Sequence, residues 1–457
     1  MFTPLIIIGV IAGVGLAIAG LFRPFVGLLL LVVIHFMQPG ELIPSLAPFR
    51  PELVYGVLLA VSFVLRRASS PHRPLFSNRI FLGAILVLGA AVLSIPFAVW
   101  RGGALSTTIM MAKLIAILFF LSELTDTNDR LRKVLWILVG MQAWFAVSAL
   151  LAFREGEFVR AQNLDRASGL SSVVGGPNEL AGLIMGLMPF LIALILSSRS
   201  LLIRLVLLAC GGIGVAAMVL TGSRASMLAL VAMAIYYALR SRNKLLSLVG
   251  VALLFCTIWL IMPKDYQERY VTVKQYAEGG ELDDSNRARL QIWRAGWRMF
   301  LDHPILGVGA GQFRVAYGTV YSGRAHGPWA NPHNLFLQVV CEMGVIGLLA
   351  FAYFLSQIIK RIRSILKLRG KQEFKLNYDV AVACSAMLLA VLGVSVVGHT
   401  LYRPYFYLLG GLVAANRFVA DQVEKSEVGS APGERVRASR QDESLLAPET
   451  VLVNGKT

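Results

Sequence analysis

Residues 331–348 read NPHNLFLQVVCEMGVIGL. Asn331, Pro332, His333 and Asn334 give way at Leu335 to an apolar run that reaches residue 358 with a single carboxylate, Glu342, inside it. About 20 apolar residues, rising 1.5 Å each, span the hydrocarbon of a bilayer as a helix. The run is continuous and rich in Leu, Val, Ile and Ala. A lipid-facing barrel strand would alternate over about ten residues, so this backbone must satisfy its own hydrogen bonds as a helix.

The same pattern recurs along the chain. Candidate spans fall at 5–20, 22–37, 52–66, 80–98, 105–122, 132–152, 178–197, 200–219, 224–240, 245–262, 335–358, 378–397 and 404–419. The first two are short and are joined through Phe22-Arg23-Pro24, so the count is about 12–13. Of the 457 residues, 56% are hydrophobic and only 15% charged, which excludes a soluble domain of this length. The expected fold class is all-α, a polytopic membrane protein with a large helical loop. Residues 5–20 lack a basic leader and a small-residue cleavage site, and are expected to stay as the first helix.

Basic residues gather in the linkers 66–79, 130–133, 199–204, 240–244 and 360–375, which the positive-inside rule assigns to the cytoplasm. The formal charge of +17 is thereby explained by topology, without nucleic-acid binding. Segments 37–51, 153–177, 221–223, 263–334 and 399–404 then share the outer face. The expected organisation is an N-terminal bundle over 1–262, a catalytic outer loop over 263–334, C-terminal spans over 335–419 and a disordered tail over 420–457. Cys210, Cys256, Cys341 and Cys384 lie within spans and read as packed thiols.

The long polar segment before Leu335 is where chemistry is expected. His333 is a titratable imidazole at a membrane–water boundary, although a residue there also suits a plain helix cap. Arg224 follows the short Thr221-Gly222-Ser223 connection. An arginine held at the membrane surface has either a phosphate or carboxylate partner or a snorkelling contact with lipid head groups. Arg166 precedes Gly176-Pro177-Asn178-Glu179, where Asn178 opens a helix whose free N–H groups favour anions, or simply caps it. Over 284–298, Arg287, Gln291, Arg294 and Arg298 form one helical stripe beside Arg289, Trp293 and Trp297. Such a helix holds a pyrophosphate and stacks sugars, or lies on lipid.

The glycine-rich stretch 304–313 lets backbone approach something closely, but no Gly-Lys-Ser/Thr follows it, so it is not a Walker loop. Asp283-Asp284 has no third ligand nearby in sequence; neither a metal nor a cofactor is expected. Lys113, mid-span, either reaches a lipid-linked phosphate, or snorkels or pairs with a helix-end carbonyl.

Taken in order, Thr-Gly-Ser-Arg224, Arg289-Leu-Gln-Ile-Trp293, Pro304-Ile-Leu-Gly-Val-Gly and Pro332-His333-Asn334 with Glu342 resemble the O-antigen ligase and polymerase superfamily, from about Arg166 to Leu348. That resemblance implies a GT-C-like, inverting and metal-independent glycosyltransferase in the bacterial inner membrane. The donor would be an undecaprenyl-pyrophosphate-linked glycan, used on the periplasmic face. The acceptor would be the lipid A-core in a ligase, a growing glycan in a polymerase, or a protein hydroxyl in an O-oligosaccharyltransferase. In the ligase reading His333 activates the acceptor hydroxyl, while Arg289 and Arg224 neutralise the leaving pyrophosphate. Arg287, Arg294, Arg166, Asn178, Trp293, Asn334 and Lys113 would contact substrate, and Glu342 would orient His333. The rival reading, a lipid-linked glycan transporter, lacks a visible inverted repeat and paired Gly/Pro-broken spans.

Overall fold

With no water to bond the backbone in a bilayer core, each apolar run closes its own hydrogen bonds, and the chain folds as helices joined by short polar turns. A computed structural model describes residues 15, 17–67, 77–161, 164–171, 173–268, 284–322 and 329–429. The principal helices are α1 (Pro24–Met37), α2 (Pro51–Arg67), α3 (Arg79–Ser94), α4 (Arg101–Leu124), α5 (Asn128–Arg154), α6 (Pro177–Ser197) and α7 (Leu201–Leu220). They continue with α8 (Arg224–Arg240), α9 (Lys244–Ile261), α10 (Asp284–Asp302), α11 (Leu335–Leu366), α12 (Lys375–Ser395) and α13 (Tyr405–Gly429). Between α5 and α6 lies an antiparallel hairpin of β1 (Val159–Ala161) and β2 (Leu164–Arg166).

Among the described residues, nine helices are long and apolar enough to cross a membrane, fewer than the 12–13 expected spans. The expected span 5–20 lies mostly outside the described residues. Helices α1 and α8 stand where spans were expected but have only 14 and 17 residues. Helix α13 is diluted by Asn416, Arg417 and Asp421. It also runs past the expected boundary at 419, because Arg417 pairs with Asp421 one turn on, at 2.5 Å, and supports the helix beyond its apolar part. The rest of the expected tail, 430–457, is outside the described residues.

The core runs through the bundle: α3 packs along α11, α4 along α13, and both α6 and α8 against α12. Leu118, Leu121, Phe351, Phe354, Phe406 and Tyr407 are almost fully buried there. A separate cluster of Ile292, Met299, Val308, Phe313 and Cys341 seats α10 and the segment after it on α11. Burying each such side chain is worth roughly 1.5–3 kcal/mol, which holds α10 against α11.

Helix α11 is not continuous. At Gly344 the backbone turns to φ +63° and ψ −159°, conformations that a β-carbon would oppose, and the helix breaks. The break leaves carbonyls and amides without helical partners, and residues 304–309 insert to satisfy them. Val308 N–H donates to Cys341 O at 2.8 Å, Gly309 N–H to Glu342 O at 3.0 Å, and Val345 N–H to Pro304 O at 2.9 Å. A β-carbon on Gly307 (φ +68°) would meet the Cys341 carbonyl oxygen at 2.5 Å. The close approach anticipated for the glycine-rich stretch is therefore made to the protein's own broken helix.

Candidate functional site

The site begins with unsatisfied helix ends. The last carbonyls of α7 have no intrahelical partner. Residues of the β2 end supply them: Ala167 N–H donates to Leu220 O at 2.9 Å and Arg166 Nε to Thr221 O at 2.6 Å. Arg166 Nη2 also donates to Asn178 Oδ1 at 2.9 Å, tying the start of α6 to the same corner. Gly222 (φ +60°) turns the chain within three residues, so Arg224 opens α8 beside this corner. Arg166, 7% exposed, is thus a strut as well as part of the wall.

His333 arrives from the other side. Its φ of +46° lies in the left-handed region, an uncommon place for a non-glycine residue and one that costs roughly 1–3 kcal/mol. Flanking bonds hold it there. Trp293 Nε1 of α10 donates to the Pro332 carbonyl at 3.0 Å, and Asn334 Oδ1 caps α11 by accepting from Leu337 N–H at 3.0 Å.

One face of α11 then carries Asn334, Gln338 and Glu342 at one-turn spacing. Each grips the 396–404 connection between α12 and α13. Asn334 Nδ2 donates to Val396 O at 3.2 Å, Gln338 Oε1 accepts from Leu401 N–H at 3.4 Å, and Tyr402 donates its hydroxyl to Glu342 Oε2 at 2.5 Å. The connection is thereby fixed with His399 beside His333, ring centroids 5.5 Å apart and planes at 81°.

These segments enclose a cavity of about 510 Å³ lined by Arg166, Asn178, Glu179, Arg224, Arg289, His333, His399 and Arg403 among others. Four arginines and one glutamate face it, a balance that suits an anion presenting several oxygens. Arg403 Nη2 pairs with Glu179 at 2.6 Å. Burial holds His333 below the ordinary imidazole pKa, and the nearby Arg289 cation adds to this, while Glu179 opposes it. His399 is pushed down to about 4, by burial first and then by His333 and Arg403. Both imidazoles are neutral at neutral pH, the form in which a ring nitrogen accepts a proton.

The structure brings together His333, Arg224, Arg289, Arg166 and Asn178, and separates the rest. Arg287 and Arg294 lie on the exposed face of α10 with Gln291 and Arg298, so of the two expected stripes it is Arg289's that enters the cavity. Trp293 and Asn334 position the His333 turn. Glu342, expected to orient His333, instead accepts from Tyr402 and from the backbone N–H groups of Gly311 and Phe313, at 3.0 and 3.3 Å. It is 2% exposed and locks the glycine turn to the 396–404 connection.

Lys113 lies at another polar pocket with Arg50, where its Nζ donates to Glu52 at 2.9 Å and Glu52 also binds His35 at 2.7 Å. Its partner is thus the Glu52 carboxylate of α2, where the sequence suggested a lipid-linked phosphate, the interface or a helix-end carbonyl. Asp283 and the Asp284 side chain lie outside the described residues, and among the described residues no group of three His, Cys, Asp or Glu could hold a metal ion. Sequence reasoning did not single out His399, Arg403 or Tyr402, and named Glu179 only beside Asn178 at the start of a helix. The available signal was the dense polar run His399-Thr400-Leu401-Tyr402-Arg403 between two apolar helices.

Residues 205–352 match the family described as O-Antigen ligase, Wzy_C. The matched segment runs from α7 into α11, so it contains Arg224, Arg289, His333 and Glu342; Arg166, Asn178, His399 and Arg403 lie outside it. No curated protein matches the chain.

Proposed function

Taking the chain as a member of the O-antigen ligase-like superfamily, which its match over residues 205–352 supports, we propose that it transfers a glycan from an undecaprenyl-pyrophosphate donor to a lipid A-core hydroxyl. The protein is a multi-pass membrane protein, and we place the cavity on the periplasmic side of the bacterial inner membrane. The basic linkers at the other ends of the helices support that orientation.

The observation that carries the proposal is a convergence: Arg224 from the start of α8, Arg289 from α10 and His333 from the turn before α11 line one cavity. Neutral His333 takes the proton of the acceptor hydroxyl as that oxygen attacks the anomeric carbon. The bond from that carbon to the pyrophosphate oxygen breaks on the opposite face, so the configuration inverts. Arg224 and Arg289 stabilise the charge gathering on the pyrophosphate, which leaves without needing a proton. Fixed cations in a partly buried cavity act more strongly than in water, so this electrostatic contribution is the larger one.

The test combines purified protein, lipid-linked donor and lipid A-core in detergent without any ion gradient, followed by a gel shift of the acceptor. Transfer supports the reading, and no transfer with intact donor refutes it. The lipopolysaccharide of a deletion strain separates the relatives: loss of all capped species identifies a ligase, while single-repeat capping identifies a polymerase.

A further inference from the structure

A general base usually has its ring fixed by a carboxylate or carbonyl on its second nitrogen. Here the ring beside His333 is another imidazole, at 5.5 Å and 81°, an edge-to-face geometry. Resting on the reading of His333 as the base, we propose that His399 is its positioning residue, holding the ring by packing where other enzymes use a hydrogen bond.

Three observations support this. The connection that carries His399 is bound to α11 at Asn334, Gln338 and Glu342, the helix that begins two residues after His333, so the distance between the rings is set by one rigid element. The Thr400 hydroxyl of the connection meets that of Ser395 at the end of α12, at 2.5 Å, and Arg403 is held by Glu179 at 2.6 Å and by the Val173 carbonyl at 3.3 Å. Moreover, His399 Nδ1 is buried with no hydrogen-bond partner among the described residues. No protein group among the described residues therefore holds the His399 ring through that nitrogen, and its contact with His333 is the edge-to-face one. His333 sits at φ +46°, so a wall that prevents the turn from relaxing has a direct effect on where its nitrogen points.

The charged groups around the pair are Arg289 from α10, Arg224 from α8, Arg166 from β2, Glu179 from α6 and Arg403 from the connection itself. Of these only Glu179 favours protonation of the imidazoles. Removing the His399 ring admits water to His333 and relieves its desolvation, which raises its pKa.

The experiment measures transfer kinetics against pH for full-length wild type, His399→Ala and His399→Phe. Loss of orientation in the Ala variant lowers kcat about tenfold to a hundredfold with KM nearly unchanged, since an ångström of misplacement has that effect. Its acid limb also moves to higher pH. His399→Phe keeps the packing without the nitrogens, so its kcat stays within a few-fold of wild type and its acid limb stays in place. A Phe variant as impaired as the Ala variant overturns the inference, because a nitrogen is then required. An Ala variant with wild-type kcat and acid limb overturns it as well. If His333→Ala itself retains wild-type rates, the general-base reading fails first and takes the positioning role with it.

Discussion

Glu342→Ala is the substitution whose consequence the structure specifies most closely. Among the donors to the buried carboxylate are Tyr402 O–H at 2.5 Å, Gly311 N–H at 3.0 Å and Phe313 N–H at 3.3 Å. Gly311 N–H also lies 2.9 Å from the Tyr402 oxygen and keeps that acceptor when Glu342 is truncated. Two buried donors, Phe313 N–H and Tyr402 O–H, are then left without one, at about 1–3 kcal/mol each, so roughly 2–6 kcal/mol of stability is lost. Glu342→Gln keeps one acceptor oxygen, and the Tyr402 hydroxyl can rotate to accept from the new amide, so its cost is about 1–2 kcal/mol. The assay is thermal unfolding of purified protein in one detergent at one scan rate, because unfolding of such a protein is expected to be irreversible. For a chain of this length the Ala variant should unfold about 2–6 °C below wild type and the Gln variant clearly less. An Ala variant with the wild-type midpoint, or a Gln variant as damaged as Ala, would refute the assignment of Glu342 as the clamp between the glycine turn and the 396–404 connection.

His333→Ala should lose about a hundredfold to ten-thousandfold in transfer rate with its thermal midpoint little changed, measured with donor and acceptor in detergent; retention of most activity would reduce His333 to part of a helix-capping turn. If the neutral ring is the base, then, with its pKa held below the ordinary value, kcat/KM should fall only as pH drops through a point below about 6.5. Glu179→Gln removes the one neighbour favouring protonation, so that limb should move to still lower pH; a shift upward contradicts the electrostatics. Arg224→Lys and Arg289→Lys should each be strongly impaired, since lysine keeps the charge but not the forked donors that match phosphate oxygens, and wild-type rates in both would favour lipid anchoring. If arginines neutralise the leaving group, activity should survive exhaustive chelation and not rise with added magnesium or manganese; loss with EDTA and recovery with a divalent ion would replace that mechanism.

The hydropathy of the chain alone determined its class and most of its element boundaries. An apolar run long enough to cross a bilayer has only one way to satisfy its backbone, so 178–197 and 200–219 could be read directly as what became α6 and α7. Polar residues at run ends, His333 and Arg224, stood out for the same reason: a charge or imidazole beside hydrocarbon is costly without a purpose. Three-dimensional packing decided the rest. Helical periodicity placed Arg287 and Arg289 on neighbouring stripes with equal claims, and only the seating of Ile292 and Met299 against α11 turned Arg289 inward. Glu342 lay one helical face away from any obvious partner, and its true partners come from residues 311–313 and 402, distant in sequence. The break at Gly344 exists because an inserted segment satisfies it, and His399 faces His333 because three side chains of α11 grip its loop. Local sequence encodes which segments become helices, through backbone hydrogen bonding in an apolar medium, whereas the site is made of contacts between segments, whose partners only the folded chain supplies.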